Sequence, residues 1–217
     1  MTKKKLAIGC GGAIGLLIVV AILSSIIGSQ PSSEESTPEV ELLEAKSQNL
    51  IDISTQGTGS LMWIELDITS KSANAMKIAI LPATVFEPQS SSVQSMVVRR
   101  KKIVTLEPEE TVESIRVSAA CANMRRNVPK ESDNLTAEIS RAPADLVQLL
   151  NLSDFHDEPF RIQQFAIWTI TDNPERSGYV GMGYYGVGTG PSEEELEQVR
   201  LLLKKAEIST EKYQALR

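Results

Sequence analysis

The sequence predicts an α+β protein: an antiparallel β-sandwich of immunoglobulin-like kind, then a small helical subdomain, with a transmembrane helix at the N-terminal end. Three observations carry this reading. Lys3, Lys4 and Lys5 precede an uncharged apolar run over residues 6–28. Short runs rich in Val, Ile and Thr, spaced by turn residues, fill residues 40–120. From residue 121 onward the apolar positions recur at helical spacing.

The apolar run is 23 residues long, and a helix needs roughly 20 to cross the hydrocarbon core. A cleaved signal sequence usually has an apolar stretch of about 7–15 residues, so a retained anchor over residues 1–28 is expected. The three lysines should stay in the cytoplasm, which leaves the remainder facing outward: a single-pass protein of the cell membrane with an extracytoplasmic domain. Residues 29–39 (SQPSSEESTPE) hold no apolar side chain. They cannot bury enough surface to order themselves and read as a disordered linker.

All 28 acidic residues but only 19 of the 22 basic ones lie beyond residue 28, so the exterior part carries a net charge of −9. Such a domain is unsuited to nucleic acid. The expected partners are the membrane, through residues 6–28, and a protein or envelope component. Arg99, Arg100, Lys101 and Lys102 form the one basic cluster, read as the polar face of a hairpin. Cys10 falls in the membrane span, so Cys121 stands alone outside and has no intradomain disulfide partner.

Within residues 40–120 the expected strands are 62–69, 76–81, 84–86, 95–98, 102–106 and 112–119. Residues 62–69 come close to strict alternation, with Ile64, Leu66 and Ile68 on one face. Ser114 to Ser118 alternates as SIRVS, placing Ile115 and Val117 opposite Arg116. Short strands separated by turn signals such as Gly57-Thr58-Gly59 and Glu107-Pro108-Glu109-Glu110 argue for a sandwich.

Residues 121–217 read as the helical subdomain. Pro143 suits a first helical turn, with Leu146, Leu149 and Leu150 on one face. Asp157 is placed to cap the next helix, whose body is residues 160–170. Pro174 disfavours helical geometry in the residue before it, so this helix should end at Thr171-Asp172-Asn173. A glycine-rich loop spans residues 178–191. Ser192 and Glu195 then form a capping box, and Leu196, Val199, Leu202 or Leu203, and Ala206 make one apolar stripe.

Complete catalytic sets are missing. Gly181-Met182-Gly183-Tyr184-Tyr185-Gly186 matches G-x-G-x-x-G, but the following helix opens only at Ser192, so a dinucleotide site is not expected. The single histidine, His156, sits with Asp154, Asp157 and Glu158 in what reads as a polar loop before a helix, without metal-ligand spacing. Neither a cofactor nor a metal is expected, and the domain should not be an enzyme. Asn134-Leu135-Thr136 and Asn151-Leu152-Ser153 are N-glycosylation sequons.

Gln163-Gln164-Phe165-Ala166-Ile167-Trp168 is the stretch that suggests chemistry. It resembles the T-Q-x-A-I-W motif of thioester domains on Gram-positive surface proteins, with Gln163 where the motif has threonine. In that family the glutamine is joined to an upstream cysteine as an internal thioester that captures amines. The resemblance implies Gln164 as the bonded glutamine and Cys121 as its partner. Phe165, Ile167 and Trp168 could exclude water from such a bond, and Arg125 or Arg126 could lower the thiol pKa. The segment from Val117 to Val128-Pro129, followed by Gln-x-Ala-Ile-Trp and Thr-Asp-Asn, also looks like exported, membrane-anchored prokaryotic proteins with a Cys-then-Q-x-A-x-W layout. There the pair could serve packing alone. Two functions stand side by side: a non-catalytic interaction or structural module, or a covalent capture domain using Cys121 and Gln164. In either, Gln163 is expected on the helix surface and Gln164 facing inward.

Overall fold

The computed structural model describes residues 37–179 and 190–217. The expected membrane span, Cys10, most of the linker and the G-x-G-x-x-G stretch lie outside the described residues. Among the described residues no helix is long and apolar enough to cross a membrane.

The fold is mixed α+β, with two sheets and four helices among the described residues, consistent with a β-sandwich-like arrangement. Nine strands run in chain order among the described residues: β1 (Glu39–Glu41), β2 (Ile51–Gly57), β3 (Trp63–Ser70), β4 (Met76–Ile80), β5 (Thr84–Glu87), β6 (Met96–Val98), β7 (Lys102–Leu106), β8 (Thr111–Cys121) and β9 (Glu138–Arg141). The helices are α1 (Leu42–Ser47), α2 (Ala144–Leu150), α3 (Phe160–Asp172) and α4 (Glu193–Lys205).

One sheet has the order β1-β4-β7, the other β2-β3-β8-β6-β5-β9. Every expected strand is present. The alternation in β3 buries Ile64, Leu66, Ile68 and Ser70 in turn, because a pleated strand sends successive side chains to opposite faces. Ile115 and Val117 are buried while Arg116 is exposed. A bulge between Leu66 and Ile68 shifts the β3–β8 register, and Ser114 opposite it takes a left-handed backbone, φ 53°.

Three expectations need correction. The pairing is not purely antiparallel, since β1 runs parallel to β4. The linker does not extend through Glu39: that residue opens β1, and the Pro38 carbonyl already accepts from the Lys77 N–H at 2.8 Å. The region after Cys121 is not all helix, because β9 pairs antiparallel with β5 at the edge of the larger sheet. A single hydrophobic core runs from Ile64 and Phe86 in the strands to Phe165 and Leu203 in the helices.

The helix signals vary in how they fare. Ser192 and Glu195 form the reciprocal capping box of α4, with Glu195 N–H donating to Ser192 Oγ at 3.2 Å. Leu196, Val199, Leu202 and Leu203 are buried. Glu195 also binds Arg161 of α3 at 2.5 Å, and the guanidinium lies 4.6 Å from the Phe165 ring centre, which clamps the two helices together. Pro143 precedes α2 rather than entering its first turn. Asp157 does not cap α3; it closes a 3-10 turn (Ser153–Asp157), and Pro159 holds the cap position. Asn173 ends α3 in the left-handed region, φ 45°, a conformation asparagine tolerates.

Gly57 marks a close approach. A Cβ there would collide with Pro129, because residues 129–135 cross the outer edge of β2. Their anchors are Gly57 N–H to the Asp133 carbonyl (3.2 Å) and Leu135 N–H to the Thr55 carbonyl (2.9 Å).

Candidate functional site

The site is built on the last three residues of β8. Backbone polar groups of successive residues in an antiparallel strand point to alternate edges. Ser118 and Ala122 face the β6 side: the Ser118 carbonyl accepts from Arg99 N–H, and Ala122 N–H donates to the Ser95 carbonyl, both at 2.9 Å. Ala119 faces the other way and donates to the Met62 carbonyl at 2.8 Å. There β3 stops. By the same alternation Cys121 presents its N–H and its C=O to an edge that has no strand left to pair with.

Gln164 of α3 fills that edge. Its Oε1 accepts from Cys121 N–H at 3.2 Å, and its Nε2 donates to the Cys121 carbonyl at 2.7 Å. A side-chain carboxamide offers the same donor and acceptor as a peptide group, so one glutamine replaces the missing strand residue. Gln164 is 0% exposed, as is Cys121. A buried backbone group left without a partner costs about 1–3 kcal/mol, which explains an amide on the buried side of an apolar helix.

The neighbouring glutamine does a matching task one position back. Gln163 is 3% exposed, so its expected place on the helix surface is wrong. Its Oε1 accepts from Arg99 Nη1 at 2.6 Å, and its Nε2 donates to the Glu158 carbonyl at 2.7 Å. Arg99 in turn donates through Nε to the Ala119 carbonyl at 2.7 Å. Arg99 is therefore not part of an exposed polar face. It is 4% exposed, lies 4.9 Å from the Phe160 ring centre, and burial with the nearby Arg100 lowers its pKa to about 10. At the far end of α3 the Asp172 carboxylate accepts from Met124 N–H at 3.1 Å. Gln163, Gln164 and Asp172 thus fasten α3 along the end of β8 and the turn after it.

The Cys121 sulfur makes its own contact on the opposite side, 3.5 Å from the Met96 sulfur. Met96 is its register partner on β6. Burial raises the Cys121 thiol far above its ordinary pKa. Arg125 and Arg126 do not lower it. Both are exposed, and their field falls on Asp172, whose pKa burial nevertheless raises. Phe165, Ile167 and Trp168 are all buried. The structure thus brings Cys121 and Gln164 together, with both amide atoms of Gln164 engaged by the Cys121 backbone.

The polar stretch around His156 is structural in character. Asp154 pairs with Lys205 at 2.7 Å, and the His156 carbonyl accepts from Arg100 Nη2 at 3.0 Å. Among the described residues no group of His, Cys, Asp and Glu could hold a metal ion. Sequence reasoning missed Arg99, Gln163 and Asp172. The available signal was the pair of adjacent glutamines: consecutive helical residues point about 100° apart, so two long amides inside an apolar run serve two separate surfaces.

Comparison of the chain with protein-family models, with curated proteins and with solved structures gives no match.

Proposed function

We propose that this chain is a single-pass membrane protein whose exterior, immunoglobulin-like sandwich with its helical appendage works as a non-catalytic interaction or structural module. Lys3 to Lys5 with the apolar run over residues 6–28 support the anchor and the outward orientation. The observation that carries the non-catalytic reading is the geometry at Cys121. A thioester needs thiolate attack on the Gln164 carboxamide carbon and departure of its nitrogen as ammonia. Here that nitrogen donates to the Cys121 carbonyl, and burial holds the sulfur as a thiol. The pair reads as a fastening for α3.

The covalent capture domain is the second reading, and it draws on the same adjacency. Gln164 is held beside Cys121 through the Cys121 backbone, and capture would further require the sulfur to leave Met96 and reach the carboxamide carbon, since only fixed proximity of the reacting atoms makes such an attack feasible.

The experiment is protease treatment of intact cells, or of spheroplasts, that carry the full chain. The reading predicts that the domain beyond residue 28 is removed from outside while an N-terminal fragment stays with the membrane through a carbonate wash. A domain protected until the membrane is lysed contradicts the orientation. Release of the whole chain by carbonate contradicts the anchor. Incubation with labelled methylamine distinguishes the second reading, which requires incorporation at Gln164.

A further inference from the structure

We propose that Asn134 is an acceptor for an N-linked glycan, a modification that rests on the extracytoplasmic placement of the domain. The sequon Asn134-Leu135-Thr136 lies at the surface and closes on itself. Asn134 is exposed. Its Oδ1 accepts from the Thr136 N–H at 2.7 Å and from the Thr136 hydroxyl. Those two donors polarise the carboxamide through its oxygen and do not engage Nδ2. Between them Leu135 is fully buried, and the backbone is pinned on both sides. Asn134 forms a bridge with Gln56 of β2, and its carbonyl accepts from Gln89 N–H at 3.2 Å. The fold can therefore carry a large group at Nδ2 without moving a core residue.

The second sequon is built differently. Asn151 terminates α2 as its C-cap, and Ser153 opens the following 3-10 turn. Its backbone N–H closes that helix end on the Val147 carbonyl at 3.2 Å. No bond is formed between the Ser153 hydroxyl and the Asn151 amide. The structure favours Asn134 over Asn151.

The location gives the modification a use. Residues 133–135 cover only the C-terminal half of the outer edge of β2, around Thr55 to Gly57. The earlier part, from Ile51, has no strand on its outer side among the described residues. An unpaired edge is a template for pairing with other chains, and a hydrated glycan at Asn134 would stand beside it. In the transfer, Asn134 Nδ2 forms a bond to the anomeric carbon of a lipid-diphosphate-linked oligosaccharide. The bond from that carbon to the diphosphate oxygen breaks, the lipid diphosphate leaves with the electron pair, and the amide gives one proton to a carboxylate of the transferase.

The test is peptide mass spectrometry of the full chain recovered from the membranes of its own cells, paired with protease accessibility on the same cells. The expected result is a glycan on the peptide holding Asn134, lost in Asn134→Gln and Thr136→Ala, and kept in Thr136→Ser and Asn151→Gln. An exported domain with unmodified Asn134 overturns the acceptor site alone. A glycan found on Asn151 and not on Asn134 overturns the structural preference. A domain that is not exported overturns both this inference and the placement it rests on.

Discussion

The Gln164 carboxamide occupies the edge of β8 at Cys121, accepting from its N–H at 3.2 Å and donating to its C=O at 2.7 Å. This arrangement predicts a specific pattern of substitutions. Gln164→Leu keeps the apolar surroundings but orphans both backbone groups, so it should cost about 2–5 kcal/mol of stability in urea unfolding. Gln164→Glu should behave differently with pH. The protonated carboxyl can both donate and accept, whereas the carboxylate can only accept and is buried. Its folded pKa is therefore raised, so the variant should be most stable below the unfolded value of about 4.3 and lose stability as pH rises through the folded pKa. A variant with the pH dependence of the parent would remove the carboxamide from this role.

Arg99 and Gln163 should be energetically coupled. Arg99 is buried, and no carboxylate within ion-pair range of it is found among the described residues. Its charge is held by the Ala119 carbonyl, the Gln163 amide and the Phe160 ring. Hydrogen bonds to a charged group contribute about 1.5–3 kcal/mol. A double-mutant cycle with Arg99→Met and Gln163→Leu should return a coupling of that size. Additive single effects would show the two side chains to act independently.

Cys121 should be chemically silent in the folded state. Its thiol is fully buried against Met96 and its pKa is raised by burial. The thiolate is the reactive form. Iodoacetamide should label it only through opening of the fold, and labelling should accelerate in the Gln164→Leu variant as its open population grows, about tenfold per 1.4 kcal/mol of lost stability when reclosing is fast. Cys121→Ser, which buries a hydroxyl against a thioether, should be less stable than Cys121→Ala.

His156 should make the domain acid-sensitive near neutrality. Its pKa is lowered, first by burial, then by Arg100 and Arg99, against the opposing effects of Asp157 and the Leu150 backbone. The unfolded chain therefore takes up the proton first. The contribution of His156 is complete above about pH 6.5 and is lost as pH falls below it toward the folded pKa. Thermal melts between pH 7.5 and about pH 5 should show a smaller decline in His156→Gln than in the parent. Asp172 works in the opposite direction, since burial raises its pKa and its contribution is lost as pH rises.

Much of the fold was legible where one residue pattern had one meaning. The alternation of β3, the Ser192–Glu195 capping box and the Asn173-Pro174 stop each reflect local chemistry, and each element appears in its place. The elements that escaped depend on distant partners. The six-residue helix α1 has no side-chain cap, and β9 buries only Ile139 among its four residues. The site divides in the same way. The inward direction of Gln164 follows from the helical period, whereas the burial of Gln163 is set by Arg99, 64 residues earlier. An arginine in a run of four basic residues gives no sign in the sequence that it turns inward.

The most direct test of the central claim, that Gln164 fastens α3 to β8 by hydrogen bonds alone, is the intact mass of residues 30–217 purified without reductant. The account predicts the full unmodified mass, no change on incubation with methylamine, and alkylation of Cys121 only after denaturation. A mass lower by one ammonia, restored by methylamine and absent in Cys121→Ala, would contradict it and establish the thioester.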